Sequence, residues 1–152
     1  MARKWFADAV PPHTDAVGPH HPLAVAANTA VTTVLTSMPS LGFKPAAEAV
    51  LQLAIAANGH LNDTAPWSRM KQPGMEAEVG DDLYAVLEAT RIVGLLLSPL
   101  LPELSTRILE QLGTSINPDG WTEQLSWGGL VSGASLPKPS PVMQRLELEE
   151  SL

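Results

Sequence analysis

The window Ala57-Asn58-Gly59-His60-Leu61-Asn62-Asp63-Thr64-Ala65-Pro66-Trp67-Ser68-Arg69-Met70-Lys71 ends in an unusual way. An apolar stripe with helical offsets runs into Pro66, and a residue that precedes a proline is pushed out of the α region, so the helix must stop there. The next residue, Trp67, stands at the exit, where one face of its indole can stay open. A flat, rigid π-surface on a fixed element suits stacking against an unpaired base, which contributes about 1–3 kcal/mol per base. Spacing alone leaves a second reading open, in which the indole folds back on its own helix end as an apolar plug.

Other reactive side chains are fewer and less organised. His13, His20 and His21 lie together in a proline-rich stretch. They lack carboxylate or thiolate partners at ligand spacing, so a solvated loop is expected and not a metal site. Asp81-Asp82 precedes an apolar-striped segment, and carboxylates there would complement and cap the positive end of a helix. The chain has no cysteine, which removes disulfides, thiolate zinc sites and cysteine nucleophiles. Neither G-x-G-x-x-G nor G-x-x-x-x-G-K-[ST] occurs, so a phosphate cradle of either kind is excluded, and no G-x-S-x-G elbow is present.

Helices must position these groups. Of the 152 residues 45% are hydrophobic and only 5% aromatic, a share carried by Ala, Leu and Val that favours packed helices over a β-sandwich. Met1 to Val10 reads as a short helical piece with Trp5, Phe6 and Ala9 on one face, starting without a capping residue. Pro11-Pro12 through Gly18-Pro19 and Pro22 is a surface connector. Leu23, Ala26, Ala27, Ala30, Val34 and Met38 mark a second helix, closed by Pro39. A third opens near Pro45, carries Ala46, Ala49, Val50, Leu53, Ala57 and Leu61, and ends at Pro66. Leu83 to Leu97 forms a fourth, apolar almost all round at Leu95-Leu96-Leu97 as a central helix should be. Pro102 opens a fifth, which Gly113 caps.

The remainder, rich in Gly, Pro, Ser and Trp, reads as a wrap that covers one side with Trp121, Trp127 and Leu136. It includes an extended pair around Leu125 to Trp127 and Gly129 to Val131. The fold expected is therefore all-α: a bundle of about five helices over residues 1–147 with an irregular C-terminal wrap, and a frayed tail at 148–152. Nine basic against sixteen acidic residues give a net charge of -7, which argues against nucleic-acid binding by general electrostatics and against DNA as a partner. Reading a few unpaired bases through stacking stays compatible with that charge. No run reaches the length of a membrane span or a signal peptide, so no membrane partner is expected, and the cytoplasm is the expected location.

The 57–71 window is similar to the A-N-x-Y-(I/V/L)-(D/E)-x-x-x-P-W-x-x-x-K stretch of methionyl-tRNA synthetases, with Asn58, Pro66, Trp67 and Lys71 in register. Leu41-Gly42-Phe43-Lys44-Pro45-Ala46, Leu83-Tyr84, Leu87-Glu88, Arg91-Ile92, Leu97 to Pro102 and Ile108 to Gly113 also resemble that family's anticodon-binding domain. So does the tail from Pro137 to Glu147. The resemblance implies a class I synthetase type of helical bundle that holds the anticodon loop of methionine tRNA, with Trp67 stacking on the first anticodon base, cytosine. Pro66 would shape the same ledge, and Asn58 would organise the helix or a backbone contact. Arg91, a mid-helix arginine in an apolar setting, reads as part of a structural hydrogen-bond network.

The resemblance implies no cofactor in this chain. ATP, and zinc where the family uses it, would belong to a catalytic domain that this chain does not hold. The class I H-I-G-H and K-M-S-K-S signatures are absent, so a chain of this kind is expected to be inactive alone in aminoacylation and to have the catalytic domain of the synthetase as a partner. The chain departs from the family pattern at His60, where tyrosine is usual, at Asn62, where a carboxylate is usual, and at Met143-Gln144, which replaces Phe-Pro. The family's base-reading asparagine and arginine on its first helix would lie before Met1. A helical protein-interaction or structural module with a decayed RNA site is the alternative, and the charge of -7 favours it.

Overall fold

The computed structural model describes residues 1–144. The frayed tail expected at 148–152, and the Arg145 to Glu147 part of the family-like ending, lie outside the described residues. Seven α-helical segments are present among the described residues: α1 (Ala2–Trp5), α2 (Pro22–Ser37), α3 (Phe43–Thr64), α4 (Pro66–Arg69), α5 (Glu76–Leu97), α6 (Pro102–Gln111) and α7 (Trp121–Gln124). The four long ones, α2, α3, α5 and α6, are the bundle that hydrophobic spacing predicts; α1, α4 and α7 are single turns.

α3 packs against both α2 and α5, and α6 lies on α5. The α2 and α3 stripes are built from small side chains, with Ala27, Ala30 and Val34 on one helix and Ala46, Val50, Leu53 and Ala57 on the other, all buried. α5 is the central element. Val79, Leu83, Ala85, Ala89, Ile92, Leu95 and Leu96 are all buried along it, and each large one contributes about 1.5–3 kcal/mol through burial. Gly94 lets α6 approach: a Cβ there would come within 3.0 Å of both Ile108 Cγ2 and Leu109 Cδ2. The same contact is fixed by Ser105, whose hydroxyl donates to Gly94 O at 2.6 Å. α6 ends as Gly113 foresees: Gly113 takes φ +68° and the Thr114 N–H returns to Leu109 O at 3.0 Å.

The wrap is anchored from its own side chains. Trp121 Nε1 donates to Leu95 O at 3.0 Å and Trp127 Nε1 to Val17 O at 2.8 Å, while Leu125, Leu130 and Leu136 are buried. Beneath it sits a buried ion pair on one face of α5. Arg91 donates to both carboxylate oxygens of Glu88 at 2.9 and 2.6 Å, and to the carbonyls of Gln124 and Ser126 at 2.6 and 2.7 Å. Glu88 in turn accepts from the backbone N–H groups of Gly128, Gly129 and Leu130 at 2.8, 2.8 and 3.0 Å. A buried charge pair is tolerable only when its remaining donors and acceptors are satisfied, and here the wrap's backbone satisfies them. Gly129 is required for this: a Cβ would come 2.5 Å from the Arg91 guanidinium carbon. The network role expected for Arg91 is the one observed. Tyr84 adds a buried hydroxyl that donates to Leu130 O at 2.8 Å, and burial, then the charge of Glu88, push its phenol up to about 12.

Several expectations are corrected. The extended pair around 125–131 does not form, because Glu88 captures the donors of Gly128, Gly129 and Leu130 that a ladder would need, and Gly128 reverses the chain at φ +92°. Among the described residues the one β-pairing is an isolated antiparallel bridge between Ala9 and Ser135. The first helical piece stops at Trp5, since Ala7 and Asp8 take φ of 51° and 59°, so Ala9 does not share a helix face with Trp5. α3 begins at Phe43, with Pro45 inside its first turn, where a missing N–H is equally harmless. α5 begins at Glu76, so Asp81 and Asp82 are in its second turn and do not cap it. The histidine stretch is only partly a solvated loop: His13 stacks on Tyr84 at 3.7 Å between ring centroids and bonds Ser132 at 2.8 Å.

Candidate nucleic-acid interface

α3 ends on a left-handed residue. Ala65 has φ 42° and ψ 58°, and its N–H still reaches Leu61 O at 3.2 Å. Pro66 then opens α4, where its fixed φ suits the first helical position and its missing N–H costs nothing. Ala65 O accepts from Ser68 N at 2.9 Å and Arg69 N at 3.2 Å, so the backbone that closed one helix starts the next in a new direction. Pro66 is fully buried and seats the turn, while Trp67 beside it is 42% exposed. Trp67 is partly exposed, so its ring is not wholly enclosed against the end of α3. Trp121 and Trp127 pack against the core cluster; Trp67 does not belong to it. Asn58 is exposed on α3, about two turns before its end, so Pro66 and Trp67 form one ledge and Asn58 lies apart from it along the helix.

A cluster of charge lies under the ledge. Arg69, on the same turn as Trp67, pairs through Nη1 with Asp82 and through Nη2 with Glu78, both on α5. The Asp82 side chain is 13% exposed and Arg69 24%, whereas Glu78 is 62% exposed, so the Asp82 pair is the better shielded of the two. The other oxygen of Asp82 faces α3: His60 Nε2 lies 3.2 Å from Oδ1, outside hydrogen-bonding alignment. His21 packs edge-on to His60 at 5.1 Å, and its Nδ1 accepts from Leu23 N at 3.2 Å, which caps α2. Burial, then the neighbouring His60, hold the His21 pKa below its ordinary value. Asp81 accepts from both the backbone N–H and the hydroxyl of Thr14, at 2.6 and 2.7 Å, and ties the connector down.

Sequence reasoning missed Arg69 and Glu78 and took Asp82 for a helix cap. Glu78 and Asp82 are four apart and share a helix face, a signal readable only once α5 is known to begin at Glu76. His60, noted as a departure, occupies the helix side that faces this cluster. Among the described residues no group of His, Asp or Glu is arranged to hold a metal. No helix there is long and apolar enough to cross a membrane.

Long helices α2, α3, α5 and α6 under an irregular wrap define the class, an all-α bundle. Within that class the chain belongs to the family described as the anticodon binding domain of methionyl tRNA ligase, which matches residues 10–151. It is 37% identical over 142 residues to the methionine–tRNA ligase of Synechocystis sp., an overlap of 87% of this chain and 26% of that protein. Against the methionine–tRNA ligase of Bacillus subtilis the identity is 30% over 154 residues, covering 100% of this chain and 23% of the relative. The free-state structure of Mycobacterium tuberculosis methionyl-tRNA synthetase superposes with a TM-score of 0.84 at 26% identity, over 98% of this chain and 30% of that one. The chain thus spans about a quarter of the length of the curated relatives it matches.

Proposed function

We propose that this domain holds the anticodon loop of methionine tRNA, with the Trp67 indole stacked on the first anticodon base, cytosine. Pro66 forms the seat of that platform, and Asn58 organises the α3 surface that leads to it. The observation that carries this reading is the 42% exposed Trp67 on a buried Pro66, in a chain of the anticodon-binding family. A stacked base loses water from one π-face and gains dispersion contact with the indole, and the partner must be unpaired to reach it.

With a net charge of -7 the domain has little general attraction for phosphates, so affinity is modest and falls only shallowly with salt. ATP-dependent attachment of methionine falls to a catalytic domain outside this chain. The residues here do not fit ATP or zinc, since there is no glycine-rich phosphate cradle and no cysteine. The protein is read as working in the cytoplasm, where its tRNA and the catalytic domain would meet it.

Titrating methionine tRNA, and the same tRNA with its first anticodon base changed, into this chain tests the reading. Tighter binding of the cytosine-bearing RNA is expected. Equal affinity for both would contradict it and favour a protein-interaction module that has kept the bundle but not the RNA site.

A further inference from the structure

α4 is one turn long, and a single helical turn does not hold its own shape: nucleating it fixes several dihedrals for one hydrogen bond. The direction of Trp67 must therefore come from what α4 is tied to. Two ties are present, the buried Pro66 ring and the Arg69 guanidinium with its carboxylate partners on α5. Asp82 is the shared point. One of its oxygens takes Arg69 of α4 and the other faces His60 in the last turns of α3, so a single α5 carboxylate spans the left-handed joint at Ala65.

We propose that Arg69 and Asp82 are positioning residues of the stacking platform: the pair locks α4 against α5 and so fixes the plane in which the Trp67 indole is presented. This rests on the stacking reading above. Neither side chain touches RNA in this account; each acts through Trp67. Arg69 engages two carboxylates at once, which sets the orientation of its planar fork as well as its location.

The test has one arm without RNA and one with it. In the first, the four tryptophans are replaced by 5-fluorotryptophan and read by fluorine NMR, the Trp67 signal being assigned with Trp67→Phe. Arg69→Met and Asp82→Asn are each expected to shift or broaden the Trp67 signal and leave those of Trp5, Trp121 and Trp127 in place. An unmoved Trp67 signal in both variants overturns the proposal. Asp82→Asn keeps the shape of the side chain, so it serves if Arg69→Met does not fold.

The second arm is a double-mutant cycle with an anticodon stem-loop RNA carrying cytosine at the first position. Arg69→Met should weaken binding about 3- to 10-fold in the parent chain and have no effect in the Trp67→Ala background. A loss that persists in that background means a direct RNA contact and overturns the positioning role, and recovery in Arg69→Lys of part of the affinity is expected. Should Trp67→Ala itself bind as the parent does, the stacking reading fails, while the fluorine signals still decide whether Arg69 and Asp82 set the indole.

Discussion

Two regions of this molecule use tryptophan in opposite ways. In the wrap, Trp121 and Trp127 press their rings onto the core and donate their indole N–H groups to backbone acceptors, Leu95 O and Val17 O. At the ledge, Trp67 stands outside the core cluster with 42% of its surface exposed. The supports differ as well. The wrap is held by a buried Glu88–Arg91 pair whose partners are all internal, whereas the ledge is held by a proline and a partly shielded Arg69–Asp82 pair. A tryptophan whose ring and N–H are both used internally is structural; Trp67, partly exposed on a seated turn, is the one for which the stacking role is proposed.

The sharpest way to break this comparison is to remove the wrap's anchor. Glu88→Ala should cost about 3–5 kcal/mol in urea unfolding, because it leaves the Arg91 charge buried and frees three backbone donors. A loss under about 1 kcal/mol would mean the pair is not what holds the wrap. Trp127→Phe keeps most of the ring and removes the donor to Val17 O; about 1 kcal/mol should be lost in the same measurement.

His21 gives a smaller effect with a defined sign. Its pKa is held below the ordinary 6.5, so its contribution to stability is present above pH 6.5 and is lost as the pH falls through the lowered value. Protonation at Nδ1 removes the acceptor for Leu23 N–H, and a cap of this kind contributes about 1 kcal/mol. The acid-side loss should therefore shrink in His21→Asn, which caps without titrating, when unfolding is followed between pH 7 and the onset of acid denaturation at about pH 5. An unchanged pH profile would remove His21 from the cap.

The long helices were legible because their apolar residues recur at helical offsets and prolines bound them: Pro39, Pro66, Pro99 and Pro102 all fall within two residues of a helix end. The Pro66-Trp67 ledge was legible for the same local reason. What stayed hidden depends on long-range partners. Periodicity cannot show that Glu88 will draw three wrap donors away from a strand pairing, nor that Asp82 will face two helices at once. Arg69 looked like any exposed basic residue because its carboxylates lie on a different helix. The start of α5 was misread since Glu76, Ala77 and Glu78 form a polar first turn without an apolar stripe.

The measurement that tests the central claim most directly is a paired one on Trp67→Ala: urea unfolding of the free chain, and binding of an anticodon stem-loop with cytosine first. An exposed platform that serves a ligand predicts stability within about 0.5 kcal/mol of the parent and an RNA affinity lower by about 1–3 kcal/mol. A variant that unfolds more easily by 2 kcal/mol or so while binding the RNA as well as the parent would make Trp67 a structural residue like Trp127 and contradict the account.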